Sequence, residues 1–175
     1  MNGLAIDTPR RFLTPCTIFA SREEHLVSTL LGSCVAVCLW DPVKQQGGMN
    51  HYMLPLWNGD GLPTPKFGNV AIDHLIQRMQ NLGSSKERLI AKVFGGANVL
   101  DTGPGPGHFQ IGERNALLAQ ELLGKQGIPI EAKDIGGPFG RKIIFNTQTG
   151  VVMVGKIAKS AEELPNGRPR GVPAP

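Results

Sequence analysis

Two apolar runs around a polar break organise the first third of the chain. Residues 35–40 (VAVCLW) and 48–54 (GMNHYML) flank DPVKQQG, whose Pro, Gln and Gly suit a tight connection, so the pattern predicts an antiparallel hairpin. Upstream, TIFA suggests a short strand over 16–20, and SREEHLVST reads as a polar turn leading to Ser28. Downstream, Ile72, Leu75, Ile76 and Met79 recur at helical spacing, which predicts a helix over 70–82 with Asn69 as N-cap and Gly83 ending it. LIAKVF at 89–94 reads as a strand, and the Gly95–Gly96 pair after it lets the backbone turn sharply or approach another chain closely. A second helix is predicted over 113–123, with Ala116, Leu117, Ala119, Gln120 and Leu123 on a mixed face and Glu113 in its first turn. Strands follow at 128–135, 141–146 and 151–157, the last two as a hairpin.

Strands outnumber helices, and the order β-β-β-α-β-α-β-β-β does not alternate as a doubly wound sheet requires. The expected fold is α+β, a mixed β-sandwich flanked by helices, in a single domain. Residues 1–15 are expected to be irregular, 16–159 to form the domain, and 160–175, with four prolines and no apolar period, to be a disordered tail. LWNGDGLPTPKF at 56–67 is too rich in Gly, Pro and Asn for regular structure and is suited to the rim of a cleft. Trp57 within it is either a lid aromatic or a staple onto the core.

At 175 residues the chain can bury a substantial core without metals or disulfides. Three cysteines, an odd number with no signal peptide ahead of them, point to a reducing cytoplasm. No apolar run approaches the ~18 residues of a membrane span, so a membrane link is expected only through a partner. The net charge of +4 is spread over scattered Lys and Arg, which argues against nucleic acid. FGGAN and TGPGPGHFQIG resemble a phosphate loop but lack Gly-Lys-Ser/Thr, and their prolines remove amide donors. His108 lies in that loop without a spacing argument, His25 and His74 read as surface residues, and Arg141 reads as solvated, with carboxamide binding or pairing with an acidic partner the sharper alternatives.

The predicted hairpin carries candidate chemistry. In an antiparallel pair the facing residue numbers have a constant sum; here it falls near 85 to 88, which brings His51 opposite Cys34 or within two or three residues of it. A cysteine at its ordinary pKa of about 8.5 is only a few per cent thiolate at neutral pH, and a neighbouring imidazole can take its proton and return it to a leaving group. Cys34 follows Gly32 and Ser33 where a loop becomes a strand, a setting in which uncommitted backbone N–H groups can hold an oxyanion. Buried cysteines are more often inert. Cys38, mid-strand, and Cys16, with no nearby histidine in sequence, read as core. Cys34, Cys38 and His51 lack the paired short spacings of a structural zinc site, so no metal or other cofactor is expected.

The runs LGSCVAVCLWDP and GGMNHYMLP resemble the CheD family of chemoreceptor glutamine deamidases, as do KVFGGANVL at 92–100, IGERNA at 111–116 and DIGGPFGRKIIFNTQTGVV at 134–152. The resemblance implies a protein-glutamine glutaminase of chemotaxis signalling, with Cys34 as nucleophile and His51 as base. The family's third member is a Thr six residues before the Cys, which orients the His. That position here is Ser28, which keeps the hydroxyl, with Thr29 as its competitor. The implied partners are the cytoplasmic region of methyl-accepting chemoreceptors and a CheC-type phosphatase. Some members are adaptors, so a non-catalytic binding module is the alternative.

Overall fold

The computed structural model describes residues 7–99 and 110–158. Nine strands are present among them: β1 Arg10–Phe12, β2 Ile18–Ser21, β3 Leu26–Leu31, β4 Val35–Asp41, β5 Gln46–Asn50, β6 Ile90–Gly95, β7 Ile130–Ile135, β8 Gly140–Asn146 and β9 Val152–Ile157. Helix α1 spans Gly68–Asn81 and α2 spans Ile111–Lys125. One sheet runs β1-β3-β8-β9 and the other β2-β5-β4-β6-β7. Both are mixed, because β1 joins β3 and β7 joins β6 in parallel.

The burial of β4 explains the layering. Val35, Val37 and Leu39 pack with Ile72, Leu75 and Met79 of α1 and Ala119 and Leu123 of α2. Ala36 and Cys38 point the other way, onto Val27, Leu31, Ile143 and Phe145 of the facing sheet. Successive side chains on a strand alternate faces, so a strand covered on both sides reads as the unbroken apolar run VAVCLW. The molecule is therefore a sandwich of two sheets with both helices on the outer face of the larger one, the α+β architecture that the pattern predicts.

Two strands lie where the sequence pattern predicts none. β1 falls inside the segment expected to be irregular, and β3 occupies the end of the supposed polar turn. β3 has only one buried face, that of Val27, Thr29 and Leu31, and its polar Ser28–Thr29 centre disguises the strand. α1 begins two residues earlier than expected, at Gly68. Asn69 is not its N-cap: its side chain instead accepts the Trp57 backbone N–H at 2.9 Å. Gly83 does end α1, at φ +100°, with Ser84 N–H donating to Met79 O and Gly83 N–H to Gln80 O, a Schellman closure.

Arg141 is 4% exposed rather than solvated; it donates to Asp134 Oδ1 at 3.0 Å and Gly136 O at 2.7 Å. His25 is half-buried, edge-on to Phe19 at 5.0 Å, while His74 is exposed. The Trp57 indole N–H donates to Asp60 O within its own loop. His108, the Pro and Gly-rich segment at 100–109 and the 160–175 tail lie outside the described residues.

Candidate active site

The β4–β5 hairpin turns at residues 42–45, and its facing pairs run from Asp41↔Gln46 to Cys38↔Met49, with the further bridge Val35↔Tyr52. Each pair sums to 87 (38 + 49, 35 + 52). His51 is thus in register with Ala36, and Cys34 with Met53. Cys34 and His51 lie on the same face as diagonal neighbours, a spacing of roughly 7–8 Å between backbones that side chains readily span. The register thus puts both residues on one face of the hairpin, and no hydrogen bond joins the Cys34 thiol to the His51 ring, whose Nε2 has no partner.

β5 leaves β4 just before His51. The Asn50 side-chain carbonyl takes the Val37 N–H at 2.8 Å. The His51 backbone bonds instead to the chain entering β2, with its N–H on Thr17 O and its carbonyl accepting the Cys16 N–H. Cys16 is therefore at the site, contrary to the expectation of a core residue remote from any histidine. It holds a left-handed φ of 66°, and its thiol lies 3.5 Å from Met53 Sδ.

The imidazole of His51 is 2% exposed, and its Nδ1 lies 2.8 Å from Thr29 Oγ1, which is itself 2.7 Å from the Leu13 carbonyl. A carbonyl can only accept, so the Thr29 hydroxyl gives its proton to Leu13 O. Its oxygen then accepts from His51 Nδ1–H. This chain fixes the tautomer with Nδ1 protonated and leaves the Nε2 lone pair bare. Nε2 has no hydrogen-bond partner. Burial disfavours the imidazolium and lowers the His51 pKa to about 4, against the opposing pull of the Leu13 carbonyl. At neutral pH the ring is an uncharged proton acceptor.

Ser28 does not touch His51. β3 alternates, so Thr29 points between the sheets and Ser28 points to the outer face, in register with Phe12 of β1. What Ser28 supplies is its backbone carbonyl, which accepts the Leu13 N–H at 2.8 Å and so helps hold the Leu13 carbonyl over Thr29.

Cys34 is half-buried. Burial pushes its thiol above the ordinary value, a negative charge on Cys16 would push the same way, and its own N–H opposes them. The resting pair is thus thiol and neutral imidazole, not an ion pair. The turn before Cys34 is held by its carbonyls. Gly32 O accepts from Ala97 N–H and Cys34 O from Gly96 N–H, each at 2.9 Å, and Ser33 O accepts from the Asn115 side chain at 3.0 Å. In a planar trans peptide the carbonyl and the following N–H point in opposite directions, so the Ser33 and Cys34 N–H groups face away from this scaffold. Gly95, at φ +108°, lets β6 wrap this closely, since a Cβ there would collide with the Cys34 carbonyl.

Thr29 stood as the competitor in the sequence; Asn115 and the Leu13 carbonyl did not stand out at all. Asn115 had a readable signal, being a polar residue on the buried stripe of a helix. The Leu13 carbonyl had none, because any residue type supplies one.

A family model described as CheD chemotactic sensory transduction matches residues 53–156, downstream of both Cys34 and His51. Relatives matched over most of the chain extend this. A protein of Trichlorobacter lovleyi named probable chemoreceptor glutamine deamidase CheD is 52% identical over 145 residues, 83% of this chain and 89% of that one. A protein of the same name from Sulfurimonas denitrificans is 42% identical over 86% of this chain and 96% of that one. A span of 145 of 175 residues begins no later than residue 31 (175 − 145 = 30), so the first of these matches runs through Cys34 and His51.

Proposed function

The chain belongs to the CheD family, and from that premise we propose that it is a protein-glutamine deamidase, hydrolysing glutamine side-chain amides to glutamate in the cytoplasmic region of chemotaxis receptors. The observation that carries this is a half-buried thiol on the same strand face as a neutral imidazole whose Nδ1 is held by Thr29 and whose Nε2 is bare. His51 Nε2 takes the Cys34 proton as the sulfur attacks the carboxamide carbon. The Ser33 and Cys34 N–H groups, aimed away from the scaffold, stabilise the tetrahedral oxyanion, with Gly32 keeping the approach uncrowded. His51 then protonates the departing ammonia, leaving a thioester on Cys34. Water activated by the same Nε2 releases glutamate and restores the thiol. Thr29, not Ser28, keeps the imidazole in the working tautomer throughout.

Such a reaction belongs to receptor adaptation and takes place in the cytoplasm. No helix among the described residues is long and apolar enough to cross a membrane. The test is mass spectrometry of the cytoplasmic part of a cognate chemoreceptor after incubation with wild type and with Cys34→Ala. Conversion of specific Gln to Glu by the wild type alone is expected. No conversion at any Gln, with a receptor complex still recovered, would overturn the enzyme in favour of an adaptor that links receptors to a CheC-type phosphatase.

A further inference from the structure

Asn115 is fully buried in the second turn of α2, on a stripe otherwise made of Gly112, Ala116, Leu118, Ala119 and Leu123. Asparagine is a poor helix former because its side chain competes for the backbone. Here its Nδ2 donates to Ser33 O at 3.0 Å and to Met53 O at 2.9 Å. Both partners are carbonyls, which can only accept, so the amide orientation follows from chemistry. Oδ1 is left buried without a partner. The Tyr52 hydroxyl donates to the Asn115 main-chain carbonyl at 2.6 Å, tying the same helical turn to the residue beside His51.

The two carbonyls sit where the hairpin comes apart. Val35 and Tyr52 exchange the last pair of backbone hydrogen bonds between these strands. Beyond them the Met53 and Leu54 N–H groups turn to Lys66 O, and Ser33 O is left without a ladder partner. Cys34 lies next to Ser33, on the first rung past this junction, and His51 lies two residues before Met53. We propose that Asn115 is a positioning residue for the reaction, its NH2 group replacing the missing ladder bonds and fixing how far the Cys34 turn stands from the His51 strand. It rests on the deamidase reading for its effect on turnover, though not for its effect on the thiol.

A packing role makes the opposite forecast. Replacing the amide with an apolar side chain removes the orphaned Oδ1 but takes the donor from the Ser33 and Met53 carbonyls, so a purely structural role forecasts lost stability with kcat per folded molecule and the alkylation profile unchanged. The experiment compares wild type, Asn115→Leu and Asn115→Ala in kcat and KM for receptor deamidation. It also follows the pH dependence of Cys34 alkylation by iodoacetamide, read on the Cys34-containing peptide. The expected result is a fall in kcat of about 100-fold, the scale of an ångström of misplacement, with KM for the receptor little changed. Alkylation at neutral pH should slow as the neutral imidazole, which takes the thiol proton during attack, loses reach of it. Should Asn115→Ala fail to fold, Asn115→Leu, a better helix former of similar volume, carries the comparison. Unchanged kcat per folded molecule together with an unchanged alkylation profile overturns the inference. If the wild type converts no receptor glutamine, the deamidase reading falls, and the alkylation profile alone still decides whether Asn115 sets the thiol's environment.

Discussion

The two ends of the β4–β5 hairpin are built from the same strands and treat buried polar groups in opposite ways. At the turn, Asp41 is fully buried and fully engaged. Its Oδ1 accepts the Val43 and Lys44 N–H groups at 3.0 and 3.1 Å, and its Oδ2 pairs with Arg88 at 3.1 Å. Beside it, the Gln46 amide donates to Ser84 Oγ at 2.8 Å. At the open end, His51 Nε2, Asn50 Nδ2 and Asn115 Oδ1 are buried and unpartnered. Burying a polar atom without a partner costs about 1–3 kcal/mol, so one end of the hairpin stabilises the fold and the other carries a standing cost. On the deamidase reading, the bare Nε2 of His51 is what the reaction needs, since a lone pair already engaged could not take the Cys34 proton.

The sharpest way to break this comparison is at Cys34. Cys34→Ala should abolish deamidation, measured by receptor mass spectrometry, while leaving the thermal midpoint nearly unchanged, because the residue is only half-buried. His51→Ala should lose almost as much activity, since members of such a pair act as a unit. Its pH signature separates the two residues. The unfolded-state pKa of histidine is about 6.5 and the folded value is about 4, so between these the unfolded chain binds more protons and stability falls as pH falls. That loss is on the order of 3 kcal/mol, complete only below pH 4. In His51→Ala the extra acid sensitivity between pH 6.5 and 4 should disappear from urea unfolding curves. In the wild type, the acid limb of kcat/KM should lie near pH 4 and not near 6.5.

The parts of this site legible in sequence were local ones. Pro, Gln and Gly between two apolar runs define the hairpin, and its constant sum puts Cys34 and His51 on one face of it. Choosing between Ser28 and Thr29 needed the face on which β3 is buried, and that is set by pairing with β8, where Thr29 lies opposite Ile143. A one-residue shift in a strand exchanges inside for outside, so motif spacing alone points to Ser28 although Thr29 is the hydroxyl bonded to His51. Cys16 reaches His51 through a main-chain bond and a left-handed turn, neither of which its flanking residues announce. The helices and the outer core were readable because α1 and α2 each cover one sheet face at a regular period.

The next effect in size tests that choice directly. Thr29→Ala removes the partner of Nδ1 and frees the ring to rotate or to adopt the other tautomer, so kcat should drop by about 10- to 100-fold. Ser28→Ala, whose backbone carbonyl is unaffected, should stay close to wild type. A larger loss in Ser28→Ala than in Thr29→Ala would mean that the β3 face has been misassigned and that the tautomer is set in another way.

The smallest effect on chemistry is expected at the hairpin's other end, where Asp41→Asn keeps an acceptor for the Val43 and Lys44 amides and loses the charge facing Arg88. The Arg88 side chain is 33% exposed and can return to water, which limits the cost of leaving it unpaired. The destabilisation should be about 1–2 kcal/mol, below that of a fully buried broken pair, and a urea denaturation midpoint would register it. Deamidation per folded molecule should be unchanged, because nothing at the open end depends on that charge. Should kcat fall tenfold while the protein remains folded, strain would be passing along β4 from the turn to Cys34. The two ends would then be one coupled unit, and the contrast between a satisfied and an unsatisfied terminus would no longer account for where the chemistry occurs.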